Sequence, residues 1–135
     1  MKVLQQERRS FARAGFTVTD ITADVRASVR DSGVRNGIAC VYSPGTTSCI
    51  RVNEFETGLL EDFGALLERL LAHDAHCLSM LLGPPGESIP VADGELLLGR
   101  WQRVLFLELG AEQDARWHVE VVGTRGRERR APAPA

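Results

Sequence analysis

Hydroxyls, a thiol, an amide and a carboxylate crowd into VYSPGTTSCIRVNE, residues 41–54. Thr46, Thr47 and Ser48 offer three hydroxyls and the amides of a turn, groups that can hold an anion. Asn53 both donates and accepts, so it can orient the adjacent Glu54 or a substrate. The same Asn53-Glu54 pair suits the start of a helix, where Asn caps and acids meet the positive end of the dipole. Cys49 would be a nucleophile only beside a base that forms its thiolate. No Gly-x-Gly-x-x-Gly or Walker spacing accompanies the hydroxyls, so they do not spell a nucleotide-binding loop.

His76 is the imidazole best suited to chemistry. When neutral it can ligate a metal, and near pH 7 it can shuttle a proton. Asp74 stands two residues away and shares its face if the stretch is extended. Together they make a thin zinc site, because a catalytic zinc commonly takes three protein ligands. Cofactors therefore stay unassigned. His73 would join them only on irregular backbone, and the plainer reading is a structural His76–Asp74 pair. Glu108 lies inside LFLEL, flanked by apolar strand residues. On a buried face its charge must be paired, and such burial is the condition of a general base. Trp101 and Gln102 follow Gly99-Arg100, where the tryptophan fills the core, floors a pocket or seals a subunit contact. Arg51, Arg100 and Arg103 could offer a phosphate a cation, although arginines scattered on strands usually face solvent.

These residues need a scaffold. The 135 residues suit one domain with its own hydrophobic core. We place that domain at residues 1–123 and a disordered basic and Ala-Pro tail at residues 124–135. Sixteen basic and eighteen acidic residues leave a net charge of -2, which gives nucleic acid or an anionic membrane no electrostatic hold. Three cysteines cannot all pair within one chain. Cys40 and Cys77, set in apolar runs, read as reduced core thiols. No apolar leader and no run of about 20 apolar residues is present, so a cytoplasmic location is expected.

DITADVRASVRDSG spaces Ile21, Val25 and Val29 as one helical face, with Asp20 or Thr22 to cap it and Gly33 to end it. GIACVY and SCIRV read as two strands of a hairpin across SPGTT. From Phe55 to Leu71 the apolar set Leu59, Leu60, Phe63, Leu66, Leu67, Leu70 and Leu71 predicts a long helix with a core-facing stripe. HCLSMLLG is ambiguous between strand and helix. ESIPV, ELLLG, RVLFLEL and WHVEVVG are further strands, and residues 2–18 suit an edge hairpin broken at Ala14-Gly15. Two main helices and six to eight strands without βαβ alternation give an α+β class with a mostly antiparallel sheet sandwich.

GFTVTDIT, TTSCIRVNEFETGLLEDF, HCLSMLLG and above all SIPVADGELLLGRWQRVLFLEL resemble the YjbQ family, often described as secondary thiamine-phosphate synthase. The resemblance runs from about Phe16 to Gly123. It implies a compact trimer with pockets near the subunit contacts and a small-molecule ligand, phosphorylated or otherwise anionic. It also implies a transferase activity that joins a pyrimidine pyrophosphate to a thiazole phosphate. Thr46, Thr47, Asn53, Glu54, Asp62, His76, Trp101, Gln102 and Glu108 match the family pattern. Gly45 and Asp74 stand where the family has histidines, and the segment between the long helix and Asp74 is short. The expectation is therefore a divergent enzyme rather than a thiamine-phosphate synthase in particular. In it His76, Glu108, Glu54 and Asp74 would move protons, and Thr46, Thr47, Asn53, Asp62, Trp101 and Gln102 would position the substrate. The alternatives are a repurposed metal-independent lyase, cyclase or isomerase, and a non-catalytic trimeric binding protein.

Overall fold

The computed structural model describes residues 9–13, 15–70, 74–110 and 116–126. Among these residues eight strands and three helices follow one another as β1 (Ser10–Arg13), β2 (Phe16–Asp20), α1 (Thr22–Ser32), β3 (Asn36–Tyr42), β4 (Ser48–Asn53), α2 (Thr57–Leu70), α3 (Ala75–Leu82), β5 (Gly86–Ala92), β6 (Glu95–Leu96), β7 (Arg103–Glu108) and β8 (His118–Thr124). They form two four-stranded sheets, ordered β1-β2-β7-β4 and β6-β5-β3-β8. Every pairing is antiparallel. The α+β class therefore stands, with a third helix where HCLSMLLG was ambiguous. β8 runs through Thr124, the first residue of the segment assigned to the tail. Residues 127–135 of that segment, like Leu71 and His73, lie outside the described residues.

Two cores hold the layers together. Between the sheets, Ile21, Val25 and Val29 of the α1 segment pack with Ala39, Val41, Ile50, Ile89, Val104 and Phe106. On the outer face of the first sheet, Leu60, Leu67 and Leu78 of α2 and α3 cover Val18, Cys49, Leu105 and Leu107. β7 is thus covered on both faces, which is why Val104 to Leu107 form an unbroken apolar run rather than an alternating one. β3 alternates instead, because the second sheet has one open face. Cys40 falls on that open face, between buried Ala39 and Val41, and is exposed. Cys77 is exposed as well, because α3 packs through Ala75, Leu78 and Leu82. The thiol that is in the core is Cys49, so the expected assignment of core thiols is reversed.

Asp20 ties α1 to the sheet. Its Oδ1 accepts from the Thr22 amide at 3.0 Å and the Thr22 hydroxyl at 2.6 Å, while the Val104 amide donates to Thr22 Oγ1 at 2.8 Å. Gly33 ends α1 in the left-handed conformation, φ 71°, as its position predicts. The hairpin expected across SPGTT does not form. β3 and β4 belong to different sheets, so residues 43–47 carry the chain from one layer to the other. The apolar stripe of α2 is also wider than the core it meets. Leu60 and Leu67 are buried, whereas Leu59, Leu66 and Leu70 are 42%, 50% and 54% exposed.

Candidate functional site

The β4–β7 ladder sets two carboxylate regions far apart. Ser48 pairs with Glu108 at one end and Asn53 with Arg103 at the other. Five residues at about 3.3 Å each separate the ends by ~17 Å. Faces differ too: Glu108 alternates with Leu105 and Leu107, which pack under α2 and α3, so it turns toward the space between the sheets.

The Glu108 end is closed. Glu108 is 6% exposed, and its Oε1 accepts from the Thr47 hydroxyl at 2.6 Å and the Gly110 amide at 2.9 Å. Oε2 is buried and has no hydrogen-bond partner among the described residues. Beside it Ser43 and Ser48, also buried, share a 2.6 Å hydroxyl contact, and Ser43 Oγ donates to the Arg116 carbonyl at 3.0 Å. Of the three hydroxyls read as an anion cradle, Thr47 and Ser48 are turned inward and Thr46 alone is exposed. Gly45 leaves no room for a side chain. Its φ is not positive, and a Cβ there would collide with Ser48 Oγ. Cys49 lies next in the chain, and burial pushes its thiol up to about 11, so it is no nucleophile at neutral pH.

The Glu54 end is open. Beyond the last ladder pair, Glu54, Phe55 and Glu56 join Arg9, Asp20, Arg100, Trp101 and Arg103 around a groove of about 530 Å³. Arg103 Nε donates to Asp20 Oδ2 at 2.8 Å, forming a fixed back wall. Glu56 caps α2, accepting from the amides of Gly58 at 2.8 Å and Leu59 at 2.7 Å. Those bonds, that to Gly58 first, hold its carboxyl below the usual range. Asn53 is not the helix cap it could have been; its Oδ1 accepts from the Glu54 amide at 2.8 Å. Among the described residues no carboxylate pairs with Arg9 or Arg100, and no cation pairs with Glu54.

Trp101 is 65% exposed, not in the core. A turn sets it outward: the Gln102 amide donates to the Gly99 carbonyl at 3.1 Å, and Gln102 Oε1 accepts from the Gly99 amide at 2.8 Å. Arg100 stacks its guanidinium 5.0 Å from the ring centre. Gln102 therefore braces the turn that presents both side chains.

Asp74 and His76 do not form an extended pair. Asp74 caps α3, its Oδ1 accepting from the amides of His76 and Cys77 at 3.1 Å each, and His76 sits exposed in the first turn. Neither borders the groove. Asp62 is exposed on the outer side of α2. Among the described residues no three His, Cys, Asp or Glu side chains gather into a metal-binding group. Sequence reading missed Arg9 and Glu56 as parts of the groove. An acid directly before Thr-Gly-Leu-Leu, at the onset of the apolar stripe, was the signal available for Glu56.

A family model described as UPF0047 protein YjbQ-like matches residues 7–124. A UPF0047 protein of Methanothermobacter thermautotrophicus is 35% identical over 136 residues, covering 91% of this chain and 94% of that protein. One from Archaeoglobus fulgidus is 38% identical over 118 residues, 78% of this chain and 90% of that protein. Among solved structures, one from Clostridium acetobutylicum superposes with a TM-score of 0.76 at 30% identity, covering 85% of this chain and 97% of that one. A YbjQ-like protein of unknown function from Sulfolobus solfataricus gives 0.73 at 31%, covering 87% and 94%.

Proposed function

Because the chain belongs to the YjbQ-like UPF0047 family, we propose that its groove between β4 and α2 binds a phosphorylated or otherwise anionic small molecule. In this reading Glu54 moves the proton, Asn53 orients it, and Arg9 and Arg100 hold the anion beside the Trp101 ring. The observation that carries it is the pair of unmatched guanidinium groups next to an exposed tryptophan in one groove. Arginine forks suit phosphate oxygens, and an aromatic face suits an unsaturated ring. A trimer belongs to the same reading, since Leu59, Leu66, Leu70, Met80 and Leu81 leave apolar surface on α2 and α3 that subunit contacts would cover.

A second reading, binding without catalysis, draws on the distance between the acids. Glu54 and Glu108 occupy opposite ends of the ladder, and His76 lies elsewhere on α3. Calorimetry with inorganic phosphate and with thiamine phosphate tests the groove. Micromolar binding weakened about tenfold or more by Arg100→Ala is expected; no binding of either anion sinks the proposal. Mass spectrometry of a mixture of the pyrimidine pyrophosphate and the thiazole phosphate then separates the readings, because a catalyst joins them with release of pyrophosphate and loses that conversion in Glu54→Gln.

A further inference from the structure

Between α2 and the outer face of the first sheet lies a second space, of about 150 Å³. That is roughly the volume that accommodates a benzene ring. Its walls include Val18, Leu60, Phe63, Leu105 and Leu107, all apolar, and its more exposed side is made by Arg51, Asn53 and Glu54.

Arg51 gives the space its chemistry. β4 sets it directly across from Leu105, on the apolar face of the sheet, where it is half-buried. Among the described residues it has no carboxylate within ion-pair distance. A guanidinium in that position has given up part of its hydration without an anion in return. Gly83, which ends α3, leaves room beside the guanidinium, since a Cβ there would stand 3.4 Å from Nη1. Asn53 spends its oxygen on the Glu54 amide, which leaves its NH₂ as a second donor.

We infer that this space is a binding site for a small apolar carboxylate. An aryl or branched alkyl group of about six carbons fills the leucine-lined volume, and the carboxylate meets Arg51 in a two-point hydrogen bond. Glu54 borders the same space, so a monoanion is preferred to a dianion such as phosphate. The inference goes beyond the groove and does not depend on it, although Glu54 is a wall common to both.

The test is a titration of the full chain with benzoate, with benzyl alcohol as the uncharged comparator, followed by methyl NMR and calorimetry. Benzoate is expected to saturate and to shift the methyl signals of Leu60, Leu105 and Leu107. Arg51→Gln is expected to weaken benzoate about tenfold or more while leaving benzyl alcohol within about twofold. The proposal is overturned if benzoate fails to saturate at tens of millimolar, or if Arg51→Gln binds it as well as the parent protein. A parallel phosphate titration of Arg100→Ala reports on the groove alone, so either site can fail without the other.

Discussion

At one end of the β4–β7 ladder Glu108 is buried against Thr47 and Gly110; at the other Glu54 stands open beside Arg100 and Trp101. Both acids end or follow apolar strands, and both read alike as candidate bases. The ladder separates them. Glu108 lies within it, on the face turned to the second sheet, so water is excluded and its oxygen must be satisfied by neighbours. Glu54 lies one residue past the last pair, where the chain bends toward α2 and no second layer covers it. Position in the ladder, more than residue type, decides which acid can meet a ligand.

The sharpest way to break this contrast is to remove each acid in turn. Glu108→Ala strips Thr47 and the Gly110 amide of their acceptor and leaves a void, and should cost about 3 kcal/mol of stability. Glu54→Gln should stay within about 0.5 kcal/mol. Urea unfolding of the two variants measures both. Equal losses, or a neutral Glu108→Ala, would mean that the Thr47–Glu108 bond is not holding the crossing between sheets.

A second, smaller effect separates the ends by pH. Cys49 lies at the closed end, and burial pushes its thiol from 9.0 up to about 11, outweighing the nearby Arg51 charge. The sign follows from linkage: the folded value exceeds the unfolded one, so this stabilisation is complete below about 9 and is lost as pH rises through about 11. In native protein at about pH 8, iodoacetamide should label exposed Cys40 and Cys77 and spare Cys49. Mass spectrometry that finds Cys49 labelled at the rate of the other two would show that the closed end opens readily.

Much of this was legible in the chain. Helical spacing placed α1 and α2, turn residues placed the later strands, and Gly33 marked its helix end, because each signal is local. Which sheet a strand joins is not local. GIACVY and SCIRV look like hairpin partners, yet each finds better cover elsewhere, β3 between β5 and β8 and β4 beside β7. The site suffered in the same way. Glu54 and Arg103 stand out in the sequence, but their meeting with Asp20 and Arg9 at one groove follows only from pairing across the sheet. Trp101 was left between core, pocket floor and subunit contact, and a four-residue turn braced by Gln102 turns it to solvent at the groove. Asp74 and His76 depended on backbone state, and a helix cap replaced the extended pair.

The smallest effect belongs to the open end. Glu56 is fully exposed, yet its carboxylate takes the amides of Gly58 and Leu59 at the start of α2, and these bonds lower it from its ordinary 4.5. Here the folded value lies below the unfolded one. The contribution is therefore present above the unfolded value and fades as pH falls through the folded one. Glu56→Gln keeps an acceptor for one amide but removes the charge that favours a helix N-terminus. The variant should unfold at slightly lower urea than the parent at about pH 6, and the gap should close by about pH 3. A gap that persists in acid would assign the effect to side-chain packing rather than charge. The groove would then owe the position of Glu54 to Asn53 and the end of β4, and not to the cap two residues later.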